Sequence, residues 1–128
     1  MTPADKGRRA EALAADRLQG MGYSILCRNY HIRVGELDLV ARDGDCIVFI
    51  EVRARRAGGM VSPLESINAR KRKKIIAAAY CYLQEHPCEL QPRFDVVAVT
   101  IRDGLAPDRW PWEHLRAAFD GSDYHANY

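Results

Sequence analysis

This sequence predicts an α/β domain with α+β character, a mixed β-sheet flanked by helices in the order αβββαβα, on three observations. An apolar stripe at helical spacing opens the chain. Three hydrophobic segments joined by tight turns come next, as an antiparallel meander requires. A helical segment then precedes a further strand, as a crossover to a parallel neighbour requires. At 128 residues the chain is read as one domain over 1–119, followed by a poorly ordered tail over 120–128.

Each element has its own signal. From about Lys6 to Met21, the residues Ala10, Leu13, Ala14, Leu18 and Met21 form the stripe, with Arg9, Asp16 and Gln19 largely opposite. Gly20 and Gly22 end this helix, and Glu11 lies at the border of its stripe. Tyr23 to Ile32 reads as a strand that turns at Arg33-Val34-Gly35. Val34 to Arg53 then reads as two strands around the turn Arg42-Asp43-Gly44-Asp45, with its hairpin-closing Asp-Gly pair. Ala57-Gly58-Gly59-Met60 is a flexible connection. Ser62-Pro63-Leu64-Glu65 has the form of a capping box, so the second helix is expected from there to about Glu85, with Pro87 beyond its end. Gln91 to Ile101 is a further strand that Asp103-Gly104 ends, and Trp112 to Phe119 is expected as a short closing helix.

Bulk composition excludes little. The net charge is only +2, so the total does not announce a nucleic-acid binder, but the distribution says more. Arg53, Arg55 and Arg56 cluster, and Arg70-Lys71-Arg72-Lys73-Lys74 is an unbroken basic run. Behind Met1 there is no apolar signal segment, and no stretch has the length of a membrane span. Cys27, Cys46, Cys81 and Cys88 show neither a C-x-x-C pair nor zinc spacing. Reduced cysteines in a cytoplasmic protein with no membrane partner are expected.

The hairpin carries the chemistry. Alternation places Glu36 and Asp38 on one face of the first strand, and Leu37 and Leu39 on the other. In the second strand Glu51 and Arg53 share a face, opposite Val48, Ile50 and Val52. Pairing the strands brings Asp38 near Glu51, and two close carboxylates repel unless a cation or a proton lies between them. Acids in hairpins ordinarily face solvent. Three acids and an arginine at period-2 spacing within strands this apolar point instead to a site for Mg²⁺ or Mn²⁺, which favour carboxylate oxygens with room for water.

The basic run divides in two. On a helix from Leu64, Lys71 falls within the face of Ile67, Ile75, Ala78 and Tyr82, so it must snorkel, find an acid or point toward the acidic side of the sheet. Arg70, Arg72, Lys73 and Lys74 form a solvated patch that can meet phosphates. His31, His86 and His114 are expected at the surface or in loops without a role, and Trp110 and Trp112 are expected to cover the core.

With this topology, G-E-L-D-L-V-A at Gly35 to Ala41 and V-F-I-E-V-R at Val48 to Arg53 resemble the PD-(D/E)XK nuclease superfamily, which has a three-layer restriction-endonuclease-like fold. Within it the chain resembles the bacterial YraN-like family, related to archaeal Holliday-junction resolvases. Supporting matches are G-x-x-x-E at Gly7 to Glu11, Lys71 and Ala79, R-F-D-V-V at Arg93 to Val97, and Ala118-Phe119. The resemblance implies that Asp38 and Glu51 bind the metal with the backbone carbonyl of Val52, and that Glu11 approaches as an outer acid. It implies metal-dependent hydrolysis of phosphodiester bonds in DNA, branched or damaged DNA included, and a homodimer by analogy with resolvases. Arg53 departs from the superfamily, which has lysine two residues after the glutamate. Arginine stays protonated, so it can stabilise charge but cannot act as a base. The expected catalytic set is Glu11, Asp38, Glu51, Arg53 and Lys71, with Arg55, Arg56, Arg70, Lys73 and Lys74 on nucleic acid. Two rival readings are a nucleic-acid-binding module that has lost cleavage and a protein-binding scaffold.

Overall fold

The computed structural model describes residues 1–58 and 62–121. The elements are α1 (Pro3–Gly20), β1 (Ser24–Ile32), β2 (Gly35–Asp43), β3 (Cys46–Arg56), α2 (Ala69–Glu85), β4 (Gln91–Ile101), a 3₁₀ turn (Pro107–Arg109) and β5 (Trp112–Phe119). The five strands form one sheet in the order β1-β2-β3-β4-β5. Only β3 and β4 are parallel, because α2 carries the chain across between them. The mixed α/β fold expected from the sequence is therefore present.

Each helix covers one face of the sheet, which makes three layers. α1 starts at a reciprocal box in which Asp5 N–H donates to the Thr2 hydroxyl and Thr2 N–H donates to the Asp5 carboxylate. It packs Ala10, Leu13, Ala14 and Leu18 against Leu39, Ala41, Val48, Ile50, Val97 and Val99. Met21, expected in that stripe, is 53% exposed because the helix has already ended at Gly20. On the other face α2 packs Ile75, Ile76, Ala78, Ala79 and Tyr82 against Leu37, Val40, Ile47, Phe49, Phe94 and Val96. Among the described residues no helix is long and apolar enough to cross a membrane.

Three local expectations fail, each for a physical reason. The box at Ser62 forms, with Glu65 N–H donating to the Ser62 hydroxyl, but it closes only a turn. The helix begins later, where Asn68 accepts the N–H of Lys71. The segment 112–119 is a strand, not a helix, and it pairs with β4. Its R-A-A-F stretch favours a helix locally, but the β4 edge supplies backbone partners that an isolated helix would lack. Finally, Leu37 and Leu39 enter opposite cores. Asn29 has φ 53°, and its place in β1 lies across from Asp38, between the pairs Arg28–Leu39 and Tyr30–Leu37. This kink interrupts the alternation of β2 at the acid itself. Gly59 and Met60 of the expected connection, and residues 122–128 of the expected tail, lie outside the described residues.

Gly35 sets how closely β2 meets α2. A Cβ at Gly35 would stand 2.7 Å from the carbonyl oxygen of Lys74, which is helix backbone and cannot rotate away. Gly35→Ala is expected to cost about 1–3 kcal/mol by forcing the two elements apart. Urea unfolding measures this, and an unchanged midpoint would show that the contact has slack.

Candidate functional site

The kink places the acids. Pairing between β2 and β3 runs from Asp43–Cys46 to Leu39–Ile50 and ends there. One step further Asp38 would face Glu51, and residues opposite each other in an antiparallel pair project to the same side. Instead of continuing the ladder, Asp38 turns its carboxylate onto the Val52 N–H at 2.8 Å. The glutamate lies on the α2 side of β3, as its neighbour Phe49 does two residues earlier.

Glu51 is only 4% exposed and has two cations near it. Lys71 Nζ is 3.6 Å from its Oε1 and Arg53 Nη1 is 3.8 Å away, both too long for good hydrogen bonds. Burial and the Asp38 charge outweigh them, so the Glu51 pKa is pushed up to about 8. Near neutrality Glu51 therefore keeps its proton and shares a hydrogen bond with Asp38. The Asp38 carboxyl is raised too, by burial against the opposing bond from Val52 N–H. One proton then lies between two buried carboxylates.

The other expected residues scatter around this pair. Glu11 stands on α1 at the far face, with its pKa raised by burial and then by the Asp38 charge, while the Asn29 side chain hydrogen-bonds it. Arg53 also reaches Ser66 Oγ at 3.3 Å, which ties β3 to the turn before α2. Lys71, with its side chain 33% exposed, reaches an acid from within an apolar helix face. Arg56 is paired with Asp103 at 2.9 Å at the surface, so part of its charge is already answered. Arg70 and Lys74 are exposed, while Arg55 and Lys73 are half-buried. The Val52 N–H is engaged by Asp38. Among the described residues no group of three or more His, Cys, Asp or Glu side chains is arranged to hold a metal ion. A cation at the acid pair would thus have two carboxylates and would complete its shell with a backbone carbonyl and water, which suits Mg²⁺ better than zinc.

Sequence reasoning missed a second polar cluster. Asp95 is fully buried on the α1 face of β4. It accepts from Arg93 Nε and Nη2, each at 2.9 Å, and from the Ala117 N–H at 2.9 Å, and it lies 2.8 Å from His114 Nε2. Burial alone would raise its pKa, but His114, Arg93 and the Ala117 N–H together hold it below the usual carboxylate range. Arg93 also donates to Asp43 at 2.8 Å and to the Tyr23 hydroxyl at 2.7 Å. His114, expected at the surface, is thus an interior residue with its side chain 8% exposed. Arg93 and Asp95 stand two apart in an apolar strand, the same signal that singled out the hairpin.

Comparison with known proteins matches residues 10–99 to the uncharacterised protein family UPF0102. A UPF0102 protein of Pseudomonas aeruginosa is 47% identical over 122 residues, covering 91% of this chain and 93% of that protein. One from Stutzerimonas stutzeri is 50% identical over 121 residues, covering 89% and 93%. Another, from Anaeromyxobacter dehalogenans, is 47% identical over 116 residues, covering 90% and 84%. With matches of this extent along nearly the whole chain, the protein belongs to the UPF0102 family.

Proposed function

We propose that this protein is a nucleic-acid-binding phosphodiesterase of the PD-(D/E)XK type that hydrolyses DNA with Mg²⁺ or Mn²⁺. The observation that carries the reading is the Asp38–Glu51 pair, two carboxylates brought together where β2 leaves β3, with Lys71 and Arg53 beside them. A bound cation would neutralise charge on the scissile phosphate and make an attacking water more acidic. Asp38, Glu51 and the Val52 carbonyl would hold it, and Glu11 would orient water from the α1 side.

Arg53 and Lys71 divide the work of the lysine that the superfamily motif carries. The guanidinium stays charged and stabilises the phosphate, whereas the ammonium can give up a proton when its surroundings favour that. Lys71→Met is expected to lower metal-dependent cleavage by about 10²-fold, the usual scale for losing a positioned proton-transfer group. Arg53→Lys is expected to preserve or raise it. The assay is cleavage of single-stranded, duplex, flap and four-way-junction DNA with and without Mg²⁺ or Mn²⁺, beside thermal melts of each variant. Full activity in folded Lys71→Met would remove Lys71 from the reaction.

A second reading, a nuclease fold that binds nucleic acid without cutting it, is favoured by Arg53 and by the lack of a converging third acid among the described residues. Salt-sensitive binding with no cleavage on any substrate and with either cation would select it.

A further inference from the structure

On the α2 side, next to the acid pair, lies a groove of about 360 Å³ between the β1–β2 turn and the first half of α2. Its volume falls in the range of small-ligand sites. Arg33 and Lys74 stand on its mostly polar walls, Ile32 and Val34 add apolar surface, and Lys71 forms part of the boundary, with Ile75 buried behind it. The same Lys71 contacts Glu51 at 3.6 Å, so a group in the groove lies one side chain away from the acids. Neither Arg33 nor Lys74 makes an ion pair or a side-chain hydrogen bond among the described residues. The groove's one carboxylate, Glu36, is 3.0 Å from His31 Nδ1. Val34 is 48% exposed here, an apolar surface beside two unanswered cations.

Resting on the nuclease reading above, we propose that this groove takes one unpaired nucleotide next to the scissile phosphate. Arg33 and Lys74 hold its phosphate, and Ile32 and Val34 meet the sugar or the face of the base. Each part of the lining has a counterpart in such a ligand. Phosphate suits two cations that have no partner among the described residues, and the exposed Val34 suits a base face, which a duplex hides within its stack. Gly35 brings the two walls together, since the missing Cβ lets β2 approach the α2 backbone at Lys74. The preferred substrate is then a strand that is unpaired beside the cut, as at an overhang or flap, and not a blunt duplex.

The test is fluorescence anisotropy over a salt series, using short labelled DNA as a single strand, as a blunt duplex of the same sequence and as a duplex with an overhang. Losing both cations on that one phosphate should weaken single-strand binding by about tenfold and lower the slope of log K against log salt by about 0.7, the single-strand value for one phosphate. Arg33→Ala/Lys74→Ala is expected to do both and to erase a parental preference for unpaired DNA. Arg102→Ala/Arg109→Ala, which removes two exposed charges elsewhere, should do neither. Lys74→Glu, a reversal at an exposed site, should weaken single-strand binding further than Lys74→Ala. Parental affinity and slope in folded Arg33→Ala/Lys74→Ala overturn the groove while leaving the nuclease reading intact. A parental preference for the blunt duplex also overturns it. A parent that binds none of the three DNAs, nor the matching RNA single strand, overturns the nucleic-acid reading and the groove together.

Discussion

At pH 8 without added cations, Glu51→Gln is expected to melt several degrees above the parent, because the parental Glu51 pKa has been pushed up to about 8. The sign follows from proton counting. In the unfolded chain Glu51 loses its proton near the ordinary glutamate value of 4.5, whereas in the folded protein it keeps it to about 8. Between those values the folded state binds more protons, so stability falls as pH rises through this window and is flat above it. At 4% exposure the effect is on the order of a few kcal/mol, and about 1 kcal/mol shifts the melting temperature of a chain this size by roughly 3–5 °C. A glutamine amide can donate to Asp38 as the protonated acid does, without a charge to lose. The parent's melting temperature should therefore decline from about pH 5 to 8 while that of Glu51→Gln stays nearly level. Parallel pH profiles would show that burial does not hold the proton.

On the proposed reading the same substitution removes a cation ligand. Mg²⁺ should raise the parental melting temperature, and more so as pH rises, because binding must displace the shared proton. Glu51→Gln should not respond, and its cleavage should be lost.

Local and pairwise signals made much of this legible in the sequence. A two-residue turn with Gly44 at φ 57° fixes the register of β2 against β3, and that register puts residue 38 opposite residue 51. The place of Lys71 within an apolar helix face was equally readable, since a buried ammonium needs an acid. Two of the failures depended on contacts distant in sequence. The strand at 112–119 exists because β4 offers an edge and Asp95 takes the Ala117 N–H, where φ is 49° and the register slips. Nothing within R-A-A-F carries that information. The kink at Asn29 is of the same kind: Asn tolerates a left-handed backbone, but only the partner strand shows that the kink lies across from Asp38. The groove beside Lys74 stayed hidden because its two walls come from separate halves of the chain.

Asp95→Ala should be the most damaging single substitution outside the acid pair, costing about 3–5 kcal/mol, the scale for breaking a buried ion pair by removing one partner. The carboxylate receives two hydrogen bonds from Arg93 and one from Ala117 N–H, with His114 at 2.8 Å. Without it, Arg93, whose side chain is 13% exposed, keeps Asp43 and the Tyr23 hydroxyl as its hydrogen-bond partners among the described residues. The Ala117 N–H loses its partner where the ladder is already irregular, so β5 should loosen before the rest of the sheet. Asp95→Asn keeps the shape, but its NH₂ faces donors, so it should fall between the alanine variant and the parent. Urea unfolding gives the free energies, and amide exchange locates the loosening: protection should be lost first over 112–119 and kept in β3. A cost below about 1 kcal/mol, or exchange that rises evenly through the sheet, would mean that pairing with β4 alone holds β5 and that the Asp95 cluster adds little.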